Sequence, residues 1–334
     1  MEGTELDVVA VGHAIVDVLA DAEDSDLEGL GLVKGTMELV DAGRADALYA
    51  SMGPAIEVSG GSAANTAAGL ASFGARTAFV GKVADDQFGA VFTHDIRAVG
   101  VDYLTPPAPD GPATGRCLVL VTPDAQRTMS TFLGAATMLE PADIGADVVA
   151  RGRITYVEGY LWDPPEASDA VRHTIELARA AGRQVALSLS DPLCVERHRD
   201  EFLELLRGGA VDVLFANELE ALNLLGVDSF DEAVAALSHA GLPDLVAAVT
   251  RGPLGSVVVG GESVVQVAPE PVTHVVDTTG AGDLYAAGFL YGLVRGADLA
   301  RCGRLGSVAA AEVISHFGAR PEITLATLAE PVLG

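Results

Sequence analysis

Short runs rich in Val, Ile and Leu recur along the chain, mostly separated by Ala-rich stretches of helical length. The runs are LDVVAVG, RTAFVGKV, RITYVEGY, RQVALSLS, VDVLFAN and LVAAVTRG. Continuous apolar strands that alternate with helices are typical of a parallel sheet covered on both faces. The pattern predicts an α/β fold with a central, mostly parallel sheet flanked by helices, and we expect a single domain over residues 1–334.

Two regions break this alternation, at about residues 15–40 and 112–134. In the second region, the tetrapeptide Pro-Asp-Ala-Gln at 123–126 joins two strand-like runs as a hairpin turn would. Because both regions follow core strands, we expect them to leave the core and pack together. The prediction is a small antiparallel β lid over one edge of the central sheet.

Nearer the end of the chain, GSVVVGG and SVVQVAP predict another hairpin with its turn at 260–262. Two Ala-rich helices are predicted after it, at about 281–295 and 299–316. The sequence contains no internal repeat, low-complexity tract or interdomain linker, which agrees with a single domain.

Charge narrows the classes of partner. The chain has 47 Asp and Glu against 20 Lys and Arg, a formal net charge of -27. Such a surface repels nucleic acid phosphates and anionic lipid head groups, so we expect neither nucleic acid nor membrane as a partner. A substrate phosphate would have to enter with a metal ion at a specific nest of backbone donors.

Several features favour a cytoplasmic protein. No apolar run approaches the roughly eighteen residues of a membrane span. The start, MEGTELDVV, has acids where a secretory signal has basic residues. Cys117, Cys194 and Cys302 are odd in number and far apart, which fits neither a disulfide framework nor a CxxC metal site.

The segment VVDTTGAGDLYAAGFLYGL carries the strongest local signal for chemistry. It predicts a strand that ends at Val276, a Gly-containing turn, and a helix that begins near Ala281. Backbone N–H groups of Gly280, Ala281 and Gly282 at a helix start form an anion site. Asp283 follows in the first turn, where its carboxylate can accept a proton from an attacking hydroxyl.

The same segment also has a purely structural interpretation. Thr278 or Thr279 can cap the helix, with Asp283 complementing the helix dipole. For an isolated Gly-Ala-Gly-Asp segment, this interpretation would be preferred.

A second motif, EVSGGSAANTAAGLASFGARTAFVGKVADDQFG, favours the chemical interpretation. Here a predicted strand ends in Gly60 and Gly61, and the next helix has Asn65 on its first turn. The pattern predicts an amide and bare backbone at the edge of the sheet, which suit several neighbouring hydroxyl groups of a substrate.

Together, SGGSAANTAAGLASFGARTAFVGKVADDQFG and DTTGAGD closely resemble the two signatures of the ribokinase-like (PfkB) family of sugar and nucleoside kinases. The resemblance runs from LDVVAVG to SHFGARP, effectively the whole chain. It implies a three-layer α/β sandwich with a small antiparallel β lid and an ATP-dependent phosphotransferase with Mg²⁺. It further implies that Asp283 is the general base and that Gly280, Ala281 and Gly282 stabilise charge on the transferred phosphoryl group.

The resemblance also implies how the substrate is bound. Asp17 matches the carboxylate that holds ribose hydroxyls, assisted by the backbone of Gly60 and Gly61 and the amide of Asn65. Taken alone, an Asp after a strand is more often a turn or solvated residue. His13 stands where nucleoside kinases commonly have Asn in a Gly-Asn-x-x-x-Asp context, and we treat it as a further substrate contact because imidazole can donate and accept.

On the nucleotide side, Asn217 and Glu220 of FANELEAL match the family's Asn-x-x-Glu element, which organises magnesium and phosphate mainly through water. Without the resemblance, helix capping would be the preferred role. Asp277 matches a position that binds a monovalent cation such as K⁺ in some relatives. The remaining residues expected near ATP are Thr250, Gly252, Gly255, Thr279, Ser307, Ala310 and Ala311.

A nucleoside base needs an apolar or aromatic surface. The candidates for this surface, each of which can equally belong to the core, are Met37, Phe132, Tyr160 and Trp162. Arg116 and Arg127 lie in the expected lid and can neutralise phosphate charge when it closes, or simply be solvated or salt-bridged.

The segments VGHAIVDVLA, KGTMELVD and EGYLWDPP most resemble the bacterial adenosine kinase branch of the family. This implies phosphorylation of the 5'-hydroxyl of a nucleoside. A free-sugar kinase acting on ribose, fructose or ketodeoxygluconate is the closest alternative, and a non-catalytic nucleoside- or sugar-binding protein is a further one. Both a monomer and a homodimer remain open.

Overall fold

A computed structural model describes residues 6–124, 126–239 and 245–334. Ala125, one residue of the expected 123–126 turn, lies outside the described residues. Within the described ranges the strands are β1 (Leu6–Val11), β2 (Ile15–Asp21), β3 (Met37–Leu39), β4 (Ile56–Gly60), β5 (Thr77–Val80), β6 (Asp102–Tyr103), β7 (Thr114–Val121), β8 (Arg127–Gly134), β9 (Gly152–Glu158), β10 (Gln184–Ser188), β11 (Val213–Asn217), β12 (Val246–Thr250), β13 (Ser256–Gly260) and β14 (Ser263–Val267).

The α-helices of the same ranges are α1 (Asp24–Leu30), α2 (Ala42–Ser51), α3 (Ser62–Ser72), α4 (Gln87–Ala98), α5 (Ala146–Arg151), α6 (Pro165–Ala180), α7 (Pro192–Arg207), α8 (Glu218–Leu225), α9 (Phe230–His239), α10 (Ala281–Val294), α11 (Leu299–Val313) and α12 (Ala326–Leu333). Short 3-10 segments lie at Ala135–Met138, Pro141–Asp143, Gly159–Trp162 and Gly252–Leu254. No helix among the described residues is long and apolar enough to cross a membrane.

The main sheet has the strand order β14-β13-β12-β11-β10-β9-β1-β5-β6 in the part of the chain that the structure describes. The pairs from β6 to β12 are parallel, and β13 and β14 form the antiparallel edge. Alternate residues of β1 belong to two separate cores: Val8 packs in one and Val9 in the other. This layered arrangement confirms the predicted α/β class, and all six apolar runs are strands of this sheet.

A second, small sheet has the order β3-β8-β7-β2-β4 and contains both regions that break the helix–strand alternation. It differs from the antiparallel lid that the sequence predicts, because β2 pairs in parallel with β7 and β3 with β8, and because β4 adds a fifth strand. Both β2 and β7 are reached from the ends of parallel strands in the main sheet. They therefore enter the small sheet in the same direction.

The two faces of the small sheet have different environments. Val16 and Val18 of β2 are fully buried in the main core, whereas Asp17 points to the other face and is only partly buried. The register pairs Asp17 with Cys117 and Val121 with Arg127, so these side chains share the Asp17 face. We call this face of the small sheet the cleft face and the opposite one the core face.

The strand predicted to end at Val276 is not present. Residues 268–280 are irregular, and the N–H groups of Val276 and Asp277 donate to the carbonyl of Ile314 at 2.8 Å and 3.4 Å. The end of this segment therefore meets the C-cap of α11 instead of a neighbouring strand. Apolar composition alone could not distinguish this arrangement from a sheet strand.

Candidate active site

The start of helix α10 is open to solvent and shaped by two glycines. Gly280 is the N-cap with φ of 76°, and a Cβ there would lie 2.7 Å from the Cβ of Ala319. Leu284 donates the first intrahelical hydrogen bond, to the carbonyl of Gly280 at 2.8 Å, so the N–H groups of Gly282 and Asp283 precede it. Gly282 is exposed, and a Cβ on it would meet no described atom within 4 Å. This helix start can therefore receive an anion.

The carboxylate of Asp283 is held by two side chains from helix α3. Ser62 Oγ donates to Oδ1 at 2.6 Å, and Asn65 Nδ2 donates to Oδ2 at 2.9 Å. Burial raises the pKa of Asp283, while these hydrogen bonds and the charge of Arg320 oppose that rise. The carboxylate thus has a fixed orientation at a site that remains partly accessible.

Asn65 contacts Asp283 rather than presenting its whole amide to the cleft. Its side chain is 4% exposed, and its Oδ1 has no hydrogen-bond partner among the described residues. This bond uses one of the two N–H groups of the amide. The predicted contact of Asn65 with a substrate hydroxyl stays a prediction.

Close packing around Asp17 explains the paired glycines. A Cβ on Gly60 would lie 2.4 Å from the Asp17 carboxyl, and Gly61, with φ of 99°, would place a Cβ 2.2 Å from the carbonyl oxygen of His13. Burial raises the pKa of Asp17 to about 6 against the opposing charges of Arg320 and Arg127, with Asp283 and Asp277 adding to the rise. Asp17 and Asp283 are therefore within electrostatic reach of each other.

Arg127 joins the small sheet to the loop before α10. Its guanidinium donates to Thr279 Oγ1 and Asp277 Oδ2, and the Arg127 and Asp277 side chains are 9% and 0% exposed. Asp277 also accepts the N–H of Thr279 at 2.9 Å and that of Gly318 at 2.8 Å. These donors hold the Asp277 carboxylate in place, and its role at a monovalent cation stays a prediction.

The register of the small sheet corrects the predicted roles of Arg116 and Phe132. Arg116 pairs with Val16 and lies on the core face, with its guanidinium 5.8 Å from the ring centre of Phe132 and ion-paired to Asp46. Residues directly opposite each other share a face, so Phe132 also points away from the cleft. Arg116 therefore does not face the phosphate site, and Phe132 does not face the cleft where a base contact was expected.

The other expected base-contact residues are dispersed. Trp162 is 2% exposed and packs against Phe202 with ring centres 5.0 Å apart, so it belongs to the core and not to the cleft. Tyr160 lies nearer the cleft, donating its hydroxyl to the carbonyl of Ser190 at 3.3 Å. Burial raises the pKa of Tyr160, and Asp283 contributes to the rise. Met37 is on the outermost strand β3 and is 48% exposed.

Asn217 and Glu220 form a capping box at the start of α8. Asn217 donates its N–H to Glu220 at 2.9 Å and its side-chain amide at 2.6 Å, and the Glu220 N–H donates back to Asn217 Oδ1 at 2.9 Å. Burial raises the pKa of Glu220 to about 7. These contacts are the helix-capping role that the sequence left as an alternative.

The remaining expected nucleotide contacts follow the edge strands. Thr250 ends β12, and Gly252 and Gly255 take φ of 53° and 84° around the turn that leads to β13. A Cβ on Gly255 would lie 2.2 Å from the carbonyl of Val267, which requires glycine for packing. On α11 the small residues named above are buried or partly buried: Ser307, Ala310 and Ala311.

Three residues at this site were not singled out by the sequence: Ser62, Glu158 and Arg320. Ser62 lies inside the SGGSAAN signature, so its position gave a usable signal. Glu158 is the one acidic residue in the run RITYVEGY. Arg320 donates to the carbonyls of Ser59 at 2.6 Å and Ala64 at 2.7 Å, contacts across more than 250 residues that no local pattern reveals.

The fold and the site are those of a small-molecule kinase. They combine a mostly parallel α/β sheet, an open helix start beside a fixed carboxylate, and a small sheet that contacts the loop before that helix. Such a site suits phosphoryl transfer, which depends on positioning and electrostatic stabilisation. The chain belongs to the PfkB family of carbohydrate kinases, whose profile matches residues 55–325. It is accordingly an ATP-dependent kinase that acts on a hydroxyl group.

The chain is 52% identical to the crystallised adenosine kinase from Sinorhizobium meliloti, with a TM-score of 0.90 over 98% of this chain and 99% of that one. It is 48% identical to a probable sugar kinase from Rhizobium etli, with a TM-score of 0.90 over 98% of both chains. A 5-dehydro-2-deoxygluconokinase from Shouchella clausii is 29% identical, over 94% of this chain and 91% of its own length. Similarity therefore extends to kinases of both nucleosides and sugars.

Proposed function

We propose that this kinase phosphorylates the 5'-hydroxyl of a nucleoside, with Asp283 as the general base. The observation that carries the choice of substrate is the composition of the cleft face around Asp17. Its other partly or fully buried members are largely apolar: Ile15, Leu19, Cys117, Val119, Val121 and Met129. One carboxylate suits the vicinal hydroxyls of ribose, and the apolar surface beside it suits a base. A free sugar would leave several hydroxyls without partners there.

The proposed reaction needs little more than positioning. The hydroxyl oxygen of the acceptor forms a bond to the γ-phosphorus while the bond from that phosphorus to the β–γ bridging oxygen breaks and ADP leaves. Asp283 takes the hydroxyl proton, with Ser62 and Asn65 fixing the direction of its carboxylate. The N–H groups of Gly282 and Asp283 at the start of α10 stabilise the charge on the transferred group.

We further propose that the small sheet acts as a lid. Arg127 on its cleft face contacts the loop before α10, and we propose that this contact guides the sheet over the exposed helix start when substrates bind. A closed lid excludes water, which would otherwise take the phosphoryl group in place of the acceptor. The lid consists of regions 15–40 and 112–134 together with β4.

Magnesium fits the site only in combination with ATP. Among the described residues, no group of three His, Cys, Asp or Glu side chains could hold a metal ion. Mg²⁺ usually keeps several waters and combines one or two carboxylates with substrate phosphates. We propose that Asn217 and Glu220 reach it through water, and that the ion neutralises phosphate charge when MgATP binds.

The alternative substrate class is a free sugar, because the relatives from Rhizobium etli and Shouchella clausii are named as sugar kinases. The deciding assay incubates the purified protein with MgATP and, separately, adenosine, guanosine, inosine, cytidine, ribose, fructose and 2-keto-3-deoxygluconate. ADP formation and the phosphorylated product are measured. We expect a nucleoside 5'-monophosphate. Turnover of sugars without nucleosides would overturn the proposal, and binding without turnover of either class would leave only a binding protein.

The role of Asp283 is tested with Asp283→Asn. Turnover should fall on the order of 10² to 10⁴-fold because a general base is lost, while ATP binding is retained. Asp200→Asn is the matched control, since that side chain is fully exposed. Near-normal turnover of Asp283→Asn would remove Asp283 from this role.

A further inference from the structure

Glu158 is a buried carboxylate that the proposed mechanism does not use. It is the last residue of β9, next to β1 in the main sheet, and is 0% exposed. Its Oε1 accepts the N–H of His13 at 2.7 Å, and its Oε2 accepts the N–H of Ala63 at 2.8 Å. One side chain therefore holds both the loop that follows β1 and the first turn of α3.

The surrounding backbone is shaped to admit this carboxylate. A Cβ on Gly12 would lie 2.5 Å from Glu158 Oε2, so the chain approaches Glu158 at a distance that only glycine allows. The imidazole Nδ1 of His13 lies 3.4 Å from Oε1, and its Nε2 is buried with no partner in the part of the chain that the structure describes. Burial raises the pKa of Glu158 to about 7, with its two N–H partners opposing the rise. A buried carboxylate at such a position needs those partners.

A short path of contacts links Glu158 to Asp283. Ala63, whose N–H Glu158 accepts, directly follows Ser62, whose hydroxyl donates to Asp283 at 2.6 Å. The same turn also meets the backbone of Asp283, because Thr66 Oγ1 lies 3.2 Å from the Asp283 carbonyl oxygen. The position of the α3 start thus determines the position of the hydroxyl that orients the Asp283 carboxylate.

We propose that Glu158 is a positioning residue for phosphoryl transfer, which sets the start of α3 so that Ser62 holds Asp283 in its reactive orientation. The proposal rests on the proposed function in taking Asp283 as the base. Glu158 would differ from an ordinary core residue, because its effect on catalysis passes through the hydroxyl of Ser62. It also predicts that the damage falls on the chemical step rather than on ATP binding.

The test is a double-mutant cycle of Glu158→Gln, Ser62→Ala and the double variant, with kcat and KM measured for MgATP and the preferred acceptor. Gln presents an amide N–H₂ where an acceptor is needed. We expect kcat to fall roughly 10² -fold, as for other small displacements of catalytic groups, with the KM for ATP unchanged. The kcat of the double variant should be no more than about twofold below that of the less active single variant, because both changes remove the same contact.

The control is Glu312→Gln, because the Glu312 side chain is 6% exposed and also accepts backbone N–H groups, from Glu322 at 2.9 Å and Ile323 at 3.2 Å. It should lower the melting temperature while kcat per folded molecule stays within about twofold of the wild type. Additive losses in the cycle, or a Glu158→Gln variant that loses stability but keeps kcat per folded molecule, would overturn the assignment. If Glu158→Gln does not fold, Glu158→Asp replaces it under the same criteria. Failure of the proposed function is seen separately, as turnover that survives Asp283→Asn.

Discussion

Replacing Arg127 with alanine should weaken the contact between the small sheet and the loop before α10. The Arg127 and Asp277 side chains are 9% and 0% exposed, so the substitution leaves a buried carboxylate without its cation. Removing one partner of a buried pair costs about 3–5 kcal/mol. The N–H groups of Thr279 and Gly318 still donate to Asp277, so we expect the lower end, about 3 kcal/mol.

Under the proposed lid mechanism, this cost falls on the arrangement in which the small sheet contacts the loop before α10. Because about 1.4 kcal/mol corresponds to a factor of ten, 3 kcal/mol shifts the population towards an open lid on the order of 10²-fold. Two effects are expected in Arg127→Ala. The kcat/KM for the acceptor falls, and ATP hydrolysis without acceptor rises relative to transfer, since an open site admits water.

Arg116→Ala is the matched control, because Arg116 lies on the core face of the same sheet. Its partner Asp46 is 73% exposed, and its guanidinium packs 5.2 Å from the ring centre of Phe88. Losing this packing should lower the melting temperature but leave both kinetic ratios unchanged. Equal kinetic behaviour of Arg127→Ala and Arg116→Ala would refute the reasoning about lid closure.

Three further substitutions separate effects on folding from effects on function. Gly282→Ala should keep or slightly raise the melting temperature, because no described atom lies near the added methyl. Its kcat should nevertheless fall at least roughly tenfold, because the methyl occupies the anion site. Gly280→Ala should instead destabilise the protein, since its φ is 76°, and identical melting curves for the two variants would contradict this. Burial raises the pKa of Asp17 from 3.8 to about 6, so wild-type stability falls as pH rises through that interval, by up to about 3 kcal/mol. The Asp17→Asn variant should therefore have a higher melting temperature than the wild type at about pH 8 but not at about pH 3, and it should lose affinity for the acceptor. A difference in melting temperature that does not change with pH would exclude Asp17 as the source of the pH dependence.

The sequence predicted those elements whose signal is local. The six strands of the main sheet were predicted because each is a continuous apolar run bounded by turns or helices. The start of α10 was predicted because the glycine spacing of DTTGAGD is contained in a few residues. The strand expected before it was wrong, because residues 268–280 are irregular and the N–H groups of Val276 and Asp277 donate to Ile314, the C-cap of α11, rather than to a sheet.

Side-chain direction in the small sheet could not be predicted. Arg116 and Arg127 belong to the same hairpin, yet the register turns one to the core face and the other to the cleft face. A shift of one residue reverses every side chain of a strand, and the register depends on partners that the local sequence does not identify. The same reason explains why Phe132 was expected at the base. The prediction for Trp162 was wrong for a different reason: a large aromatic residue near a strand end can equally well complete the core.

Residues that act through distant partners were also missed. Arg320 contacts Ser59 from 261 positions away, and Glu158 contacts His13 from 145 positions away. Neither residue has a motif of its own, and each acquires a role only when the fold brings β4, α3 and the loop after β1 together. Long-range pairing of this kind is a property of the topology and not of composition.

The electrostatics of the cleft suggest why phosphate binding and acceptor binding should be coupled. Asp17, Asp277 and Asp283 together place negative charge where ATP must bring more, in a chain with a formal net charge of -27. Arg320 is committed to the backbone carbonyls of Ser59 in β4 and Ala64 in the first turn of α3, so it opposes that charge from a fixed position. Arg127 belongs to the small sheet, where its guanidinium contacts Asp277 of the loop before α10, so under the proposed lid mechanism its charge moves with that sheet. Closure over a bound acceptor would therefore supply positive charge and exclude water in one movement, which favours transfer over hydrolysis.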